Sequence, residues 1–439
     1  MKVKTFPRGI HPPEFKEQTA EKPIESLPPP EKVIIPLLQH FGATAQALVK
    51  KGDEVSLGQK IGESKALFSA PVHSSVSGKV LSVDNTNHPG GNPVPAVTIA
   101  NDGEDRLFPG NEGAKDPFSL SPDEIRQKVR DAGVVGLGGA AFPTSVKLSP
   151  PKDKPIDTII INGCECEPML TADYRLMLES PEGILKGAEL ARIATGAERI
   201  IVGIEDNKKK AFELLQDKIQ EIRGEVALLK TKYPQGAEKN LIYALLRREV
   251  PRGGLPFDVG IVVQNVGTAK AIWEAVNEGK PLYERAITVS GNGIEQPKNI
   301  LVRIGTPFQK IIEFCGGVDE GADILVMGGP MMGISQWSLD TPLIKGTSGI
   351  LAWTSPSPSI EYPCIRCSRC VEHCPMGLVP TQLAKYIRYD NLTDAEKWGI
   401  LDCVECGCCQ YICPSKIPLV HWIRLGKDKI ASLKRKKSA

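Results

Sequence analysis

Aromatic residues make up only 5% of the 439-residue chain, which leaves little from which to build the stacking platforms that grip nucleic-acid bases. Charge is nearly balanced, 54 Lys and Arg against 52 Asp and Glu for a net +2, so no polyanion partner is signalled and nucleic acid is not expected. No uninterrupted apolar run approaches the roughly 18 residues that a membrane span needs; attachment to a membrane would be peripheral. The opening Met1-Lys2-Val3-Lys4-Thr5 runs into polar, Pro-rich sequence. It does not read as a signal peptide, and the expected setting is a reducing cytoplasm. Histidine is scarce, six in all, and His40, His73 and His88 lack ligand spacing. The remainder, 41% hydrophobic and 24% charged, suits a soluble chain of roughly two to four domains with their own cores.

Cysteine breaks this pattern of scarcity, with twelve residues. Eight fall in two copies of one phrase, C-x2-C-x2-C-x3-C-P: Cys364, Cys367, Cys370, Cys374-Pro375, and Cys403, Cys406, Cys409, Cys413-Pro414. That is the spacing which wraps cubane [4Fe–4S] clusters in two-cluster ferredoxins. Three closely spaced thiolates hold three irons of one cube, and the Cys before Pro reaches the other cube. The expected sets are Cys364, Cys367, Cys370 with Cys413, and Cys403, Cys406, Cys409 with Cys374. Zinc is the alternative for C-x2-C pairs, but Zn(Cys)4 sites do not call for a third Cys at the same interval plus Cys-Pro, twice over. Cys408, inside the second phrase, reads as a packed free thiol.

Upstream, residues 1–30 hold Pro7, Pro12, Pro13, Pro23 and Pro28-Pro29-Pro30 and read as an extended arm lying on a neighbouring part. Residues 31–100 show short strands broken by Gly and Pro. Leu48–Glu63 and Ser69–Val83 resemble the halves of a lipoyl/biotinyl-type barrel-sandwich module. Lys65 is the single candidate for a carrier lysine, yet it lacks the usual flanking residues, and a structural or docking module is expected. After a linker over Asn101–Ser119, Ser121-Pro122-Asp123-Glu124 announces a helix with a capping box, ending near Gly133.

The stretch 120–285 then alternates helix and strand, the pattern of an α/β domain. Gly136-Leu137-Gly138-Gly139-Ala140-Ala141-Phe142-Pro143, with Lys147 beyond, lets backbone approach a phosphate or ring. It follows a helix and not a strand, unlike a Rossmann fingerprint. Ile156–Asn162 is a buried strand ending in Gly163-Cys164-Glu165-Cys166-Glu167-Pro168, placing acids where α/β sheets bind ligands. Cys164 and Cys166 have no partners for a metal site. A second buried strand ends at Gln264-Asn265. The charges of residues 208–223, at helical spacing, read as a solvated helix face. Arg247, Arg248 and Arg252 suit either phosphate binding or a solvated helix end.

These phrases, in this order, resemble the flavin-bearing, NADH-oxidising subunit of respiratory complex I, through Gly136–Lys147, Asn162–Pro168, Gly236–Glu238 and Asn265–Thr268. Nearly the whole chain, including Gly9–Glu14, is similar to the C subunit of the Rnf electron-transport complex. The resemblance implies a multidomain α/β and α+β protein. Its parts would be a barrel-sandwich module, a Rossmann-like flavodomain (120–285), a small β-grasp module (286–345), a helical two-cluster ferredoxin-type domain (359–425) and a basic tail (426–439). It also implies FMN and NAD(H). Gly136, Gly138 and Gly139 would lie against FMN, Lys147 would meet its phosphate, and Asn162, Glu165 and Asn265 would contact flavin or ribityl groups. Phe142 would stack on the nucleotide, with Glu167 and Glu238 on its hydroxyls or amino group. Departures are Leu137, Ala141, Cys164 and Ala237 at positions where complex I subunits carry Arg, Gly, Asp and Glu, and Leu148-Ser149-Pro150 in place of an aromatic.

The resemblance implies an NAD-dependent oxidoreductase subunit that passes electrons between NAD(H), FMN and two [4Fe–4S] clusters. It would act at the cytoplasmic face of the membrane, with the other subunits of an ion-translocating ferredoxin:NAD+ oxidoreductase, including a ferredoxin-type subunit. Alternatives are a soluble cobalamin reductase, although such proteins begin almost at the flavodomain and this chain has some 120 residues before it, and a cluster-only relay subunit. Cys315, Met331 and Met332 read as packing. Thr354–Pro358 reads as a linker. In the tail, apolar Trp422, Ile423, Leu425, Ile430 and Leu433 alternate with basic residues, as for a membrane surface, an acidic partner or a solvated end.

Overall fold

The computed structural model describes residues 3–354 and 360–438; the expected Pro/Ser linker lies largely in 355–359, outside the described residues. The β-branched run Thr158–Gly163 is buried on both faces, as a central parallel strand must be. It pairs in parallel with Arg199–Glu205 on one side and Ile261–Asn265 on the other. Gly224–Leu229 completes a four-stranded sheet beyond Arg199–Glu205. The chain therefore steps outward twice and then returns to the opposite side of its first strand. The reversal falls between Thr158–Gly163 and Ile261–Asn265, the switch point at which such sheets bind ligands. One face is covered by a cluster including Ile159, Ile161, Leu190 and Val262, the other by Ile160, Ile201, Leu241 and Val263. The helix Pro122–Asp131 starts with the expected reciprocal capping box between Ser121 and Glu124. The helix Lys209–Lys218 buries Ala211 and Leu215, and Lys208 just before it is buried against Glu205.

Residues 32–101 form two small antiparallel sheets. The six-stranded sheet next to them takes five strands from Glu284–Trp353, with Gly349–Trp353 lying past residue 345, and a sixth from Ile24–Ser26. The two units are not separately cored. Val33, Ile35, Ile61 and Val97 from the first pack in one cluster with Ile287, Ile300, Val302 and Phe308 from the second.

The Pro-rich arm lies extended along the rest of the chain: Phe6 and Ile10 are buried, and Ile24–Ser26 is an edge strand parallel to Lys298–Arg303. That pairing satisfies a sheet edge that would otherwise be open. The basic tail is the second half of one helix, Leu419–Ser438, which lies along Pro380–Arg388 and buries Ile430. Three of its cations are matched to acids of the same domain, Lys427 to Glu405, Lys429 to Asp390 and Lys434 to Glu396.

Candidate functional site

The flavodomain crevice is built from strand ends. Asn265 closes its strand and caps the helix Val266–Trp273, its Oδ1 accepting from Gly267 N at 2.8 Å. Its Nδ2 donates to Asp173 Oδ2 at 2.6 Å. Asn162 ends the neighbouring strand, and its Nδ2 donates to Gly236 O at 2.8 Å. The glycine phrase is laced across this end, with Leu137 N donating to Thr268 Oγ1 at 2.8 Å. A Cβ on Gly138 would stand 3.3 Å from Asn265 Cβ, whereas Gly139, at φ +121, faces open space. At the first turn of Thr144–Lys147, the Thr144 hydroxyl is buried with no partner. An open glycine backbone, two amide side chains, converging helix N-termini and an orphaned hydroxyl fit a flavin mononucleotide with its phosphate.

The charged residues expected here are largely committed within the protein. Lys147 pairs with Glu238 and also donates to Val263 O at 3.1 Å. Glu165, expected at the flavin, accepts instead from Asp173 N at 2.7 Å and Tyr174 N at 3.1 Å, capping the helix that follows. Glu167, expected at the nucleotide, accepts from Met331 N and Met332 N at 3.0 and 2.9 Å. Burial raises it to about 7 against those hydrogen bonds. Both carboxylates, taken from water, accept the nearest unpaired backbone amides. Arg248 pairs with Asp157 and Arg252 with Asp402, and Arg247 donates to Thr5 O; all three hold the fold together.

Sequence reasoning missed Asp173, Lys16 and Tyr233. Burial, then the nearby Glu165 charge, pushes Asp173 up to about 7. Lys16 Nζ donates to the carbonyls of Glu165 and Glu167, both at 2.9 Å, and of Leu170. Only Asp173, an acid in the first turn of a helix, leaves a trace in the sequence; the other two are fixed by partners far along the chain.

In the C-terminal domain, Cys374, Cys403, Cys406 and Cys409 line one cavity, which is the set expected from cross-ligation. Cys370 and Cys413 share a buried cluster with Ile417 and Val420, while Cys364 and Cys367 are exposed. Thiols around a volume suit a cube in which each binds a different iron. Burial pushes Cys403 up to about 12, so that thiol ionises when metal takes the place of the proton. Cys408 is buried as expected.

The inner set abuts the flavodomain. Tyr233 Oη donates to Cys406 O at 2.7 Å, and Tyr233, Ile10, Cys406 and Cys408 form a small core flanked by Cys166 and Met331. Gly236 N donates to Cys166 Sγ at 3.4 Å. A packed path thus joins Asn162, through Gly236 and Cys166, to the Cys406 turn.

Comparison with known proteins agrees with this layout. Residues 4–104 match the RnfC barrel sandwich hybrid domain, 129–274 the Nuo51 FMN-binding domain, 286–335 the SLBB domain and 362–417 the 4Fe-4S dicluster domain. The C subunit of the proton-translocating ferredoxin:NAD(+) oxidoreductase complex of Clostridium ljungdahlii is 48% identical, covering 97% of this chain and 94% of its own. Its counterpart in the Na(+)-translocating complex of Acetobacterium woodii is 47% identical, covering 98% of each. The counterpart in the ion-translocating oxidoreductase complex of Rhodobacter capsulatus is 42% identical, over 98% of this chain and 84% of that one. An NAD+-reducing [NiFe]-hydrogenase shares the fold over 74% of this chain and 69% of its own, at a TM-score of 0.53 and 19% identity. The cofactors are FMN and two [4Fe–4S] clusters, and the chain belongs to the RnfC family, the electron-transferring C subunits of ion-translocating ferredoxin:NAD+ oxidoreductase complexes.

Proposed function

We propose that this subunit exchanges electron pairs with NAD(H) in the Asn162–Asn265 crevice and exchanges single electrons with a ferredoxin-type subunit at the Cys364–Cys367 end. It does so at the cytoplasmic face of a membrane complex. FMN supplies the conversion between paired and single electrons, and each cluster carries one electron at a time. Gly136, Gly138, Gly139, Thr144, Asn162 and Asn265 would hold the flavin, with Lys147 released from Glu238 to meet its phosphate. Phe142 would face the nucleotide.

The observation that carries this reading is the seating of Cys406 on Tyr233. It seats the inner thiols against the α/β domain, while Cys364 and Cys367 are exposed, which supports an inner and an outer cluster. At the outer end, Ile360, Tyr362 and Ile365 are exposed beside Cys364 and Cys367, together with Arg366 and Arg369. An apolar patch with basic neighbours suits an acidic redox partner. No helix among the described residues is long and apolar enough to cross a membrane.

The test is anaerobic addition of NADH to iron-loaded, FMN-containing protein. Bleaching of flavin absorbance followed by appearance of a reduced-cluster paramagnetic signal is expected. Flavin that stays oxidised at saturating NADH would overturn the reading.

A further inference from the structure

The barrel-sandwich unit sends two turns onto the glycine phrase. Residues 38–44 and 64–70 are locked to each other: Ala43 N donates to Phe68 O at 3.0 Å, and Ala70 N donates to His40 Nε2 at 2.9 Å. Gly42, at φ +124, lies so close that a Cβ would meet Phe68 O at 2.0 Å. The pair is then tied to the flavodomain by Phe41 N, which donates to Ala141 O at 3.1 Å.

This arrangement gathers three aromatic rings at the end of the glycine phrase, around Phe142. Phe41 and Phe142 lie nearly parallel, centroids 6.0 Å apart at 24°, and Phe68 tilts against Phe142 at 5.9 Å. Rings serving only to glue the module down would be covered, yet Phe41 is 62% and Phe68 45% exposed. The seam has other fastenings, including buried Lys345, whose Nζ donates to Pro71 O at 2.9 Å and Gly133 O at 2.7 Å.

We propose that Phe41 and Phe68 join Phe142 in an aromatic wall on which a planar ring of NAD(H) stacks, which makes the barrel-sandwich module part of the nucleotide site. This rests on the reading that the glycine phrase faces FMN and NAD(H). It gives the module a role in substrate affinity, one that a carrier or a docking unit would not have.

The experiment measures NADH half-saturation of flavin bleaching in iron-loaded, FMN-containing full chain, for wild type, Phe41→Ala, Phe68→Ala and Phe41→Trp. Each Ala variant is expected to raise half-saturation about tenfold, the scale of one lost stacking contact, with flavin content and limiting bleaching rate unchanged. Phe41→Trp is expected to keep or tighten it. Ala variants within twofold of wild type, while wild type itself bleaches, overturn the wall and leave the function standing. Wild type that NADH cannot bleach overturns both.

Discussion

Lys345 has its ammonium buried where three units meet, held by two carbonyls and no carboxylate. Burial alone pulls its pKa down to about 7. Between that value and the unfolded ~10.4 the unfolded chain binds the extra proton, so stability rises with pH across this window, by up to ~1.4 kcal/mol per unit. Below pH 7 the folded chain also holds the proton and the slope vanishes. Lys345→Met removes the titration. Thermal unfolding at pH 7.5 and 9.5 is therefore expected to show a larger gain for wild type than for the variant; parallel profiles would show that the buried amine is not the source. At this scale the sequence was legible where chemistry is local. The cysteine phrase names eight ligands by spacing, and Ser121 and Glu124 name their own cap. For Glu165 and Glu167 the sequence is silent on the partner, because a strand-end carboxylate looks the same whether it meets a ligand or the amides of Asp173 and Met331. Asp173 and Tyr233 escaped because their partners lie 92 and 173 residues away.

Among the elements, the N-terminal segment shows most clearly how long-range partners decide structure. Its prolines forbid a helix and say nothing about what an extended chain will lie on. In the folded protein Lys4 bridges to Leu229, Ile10 to Tyr233, and Ile24–Ser26 to Asn299–Leu301. Phe6 is the anchor, buried against Ile160, Leu229 and Leu241, with Lys232 Nζ 4.6 Å from its ring centroid. Truncation to Phe6→Ala removes that packing and leaves a cavity, at a cost of about 3–5 kcal/mol. Because Ile10 and Tyr233 exchange backbone hydrogen bonds, loosening this segment also loosens the seat of Cys406. The variant is expected to unfold at lower urea and to lose NADH-dependent cluster reduction before flavin bleaching as urea rises. Simultaneous loss of both signals would mean that the segment stabilises the chain without guarding the join. The parallel strands, by contrast, were readable because β-branched runs buried on two faces need no partner to declare themselves.

For the molecule as a whole, the order of the two cysteine sets matters more than their presence. Electron tunnelling falls steeply with distance, so a relay works only if its stations lie in line. Cys374, Cys403, Cys406 and Cys409 enclose a site backed by Tyr233 and Met331, whereas Cys364 and Cys367 face outward. Two substitutions with equal cost in iron should therefore differ in consequence. Cys367→Ser and Cys406→Ser are each expected to lose roughly half the iron, one cube of two. In Cys367→Ser the remaining cluster lies next to the flavodomain, and NADH should still reduce it, giving a paramagnetic signal while transfer to an external acceptor protein fails. In Cys406→Ser the surviving cluster is stranded at the far end; dithionite should reduce it and NADH should not, although flavin still bleaches. If NADH reduced the surviving cluster equally in both variants, the inner and outer assignment would be wrong, and the contact between Tyr233 and Cys406 would be a fastening alone.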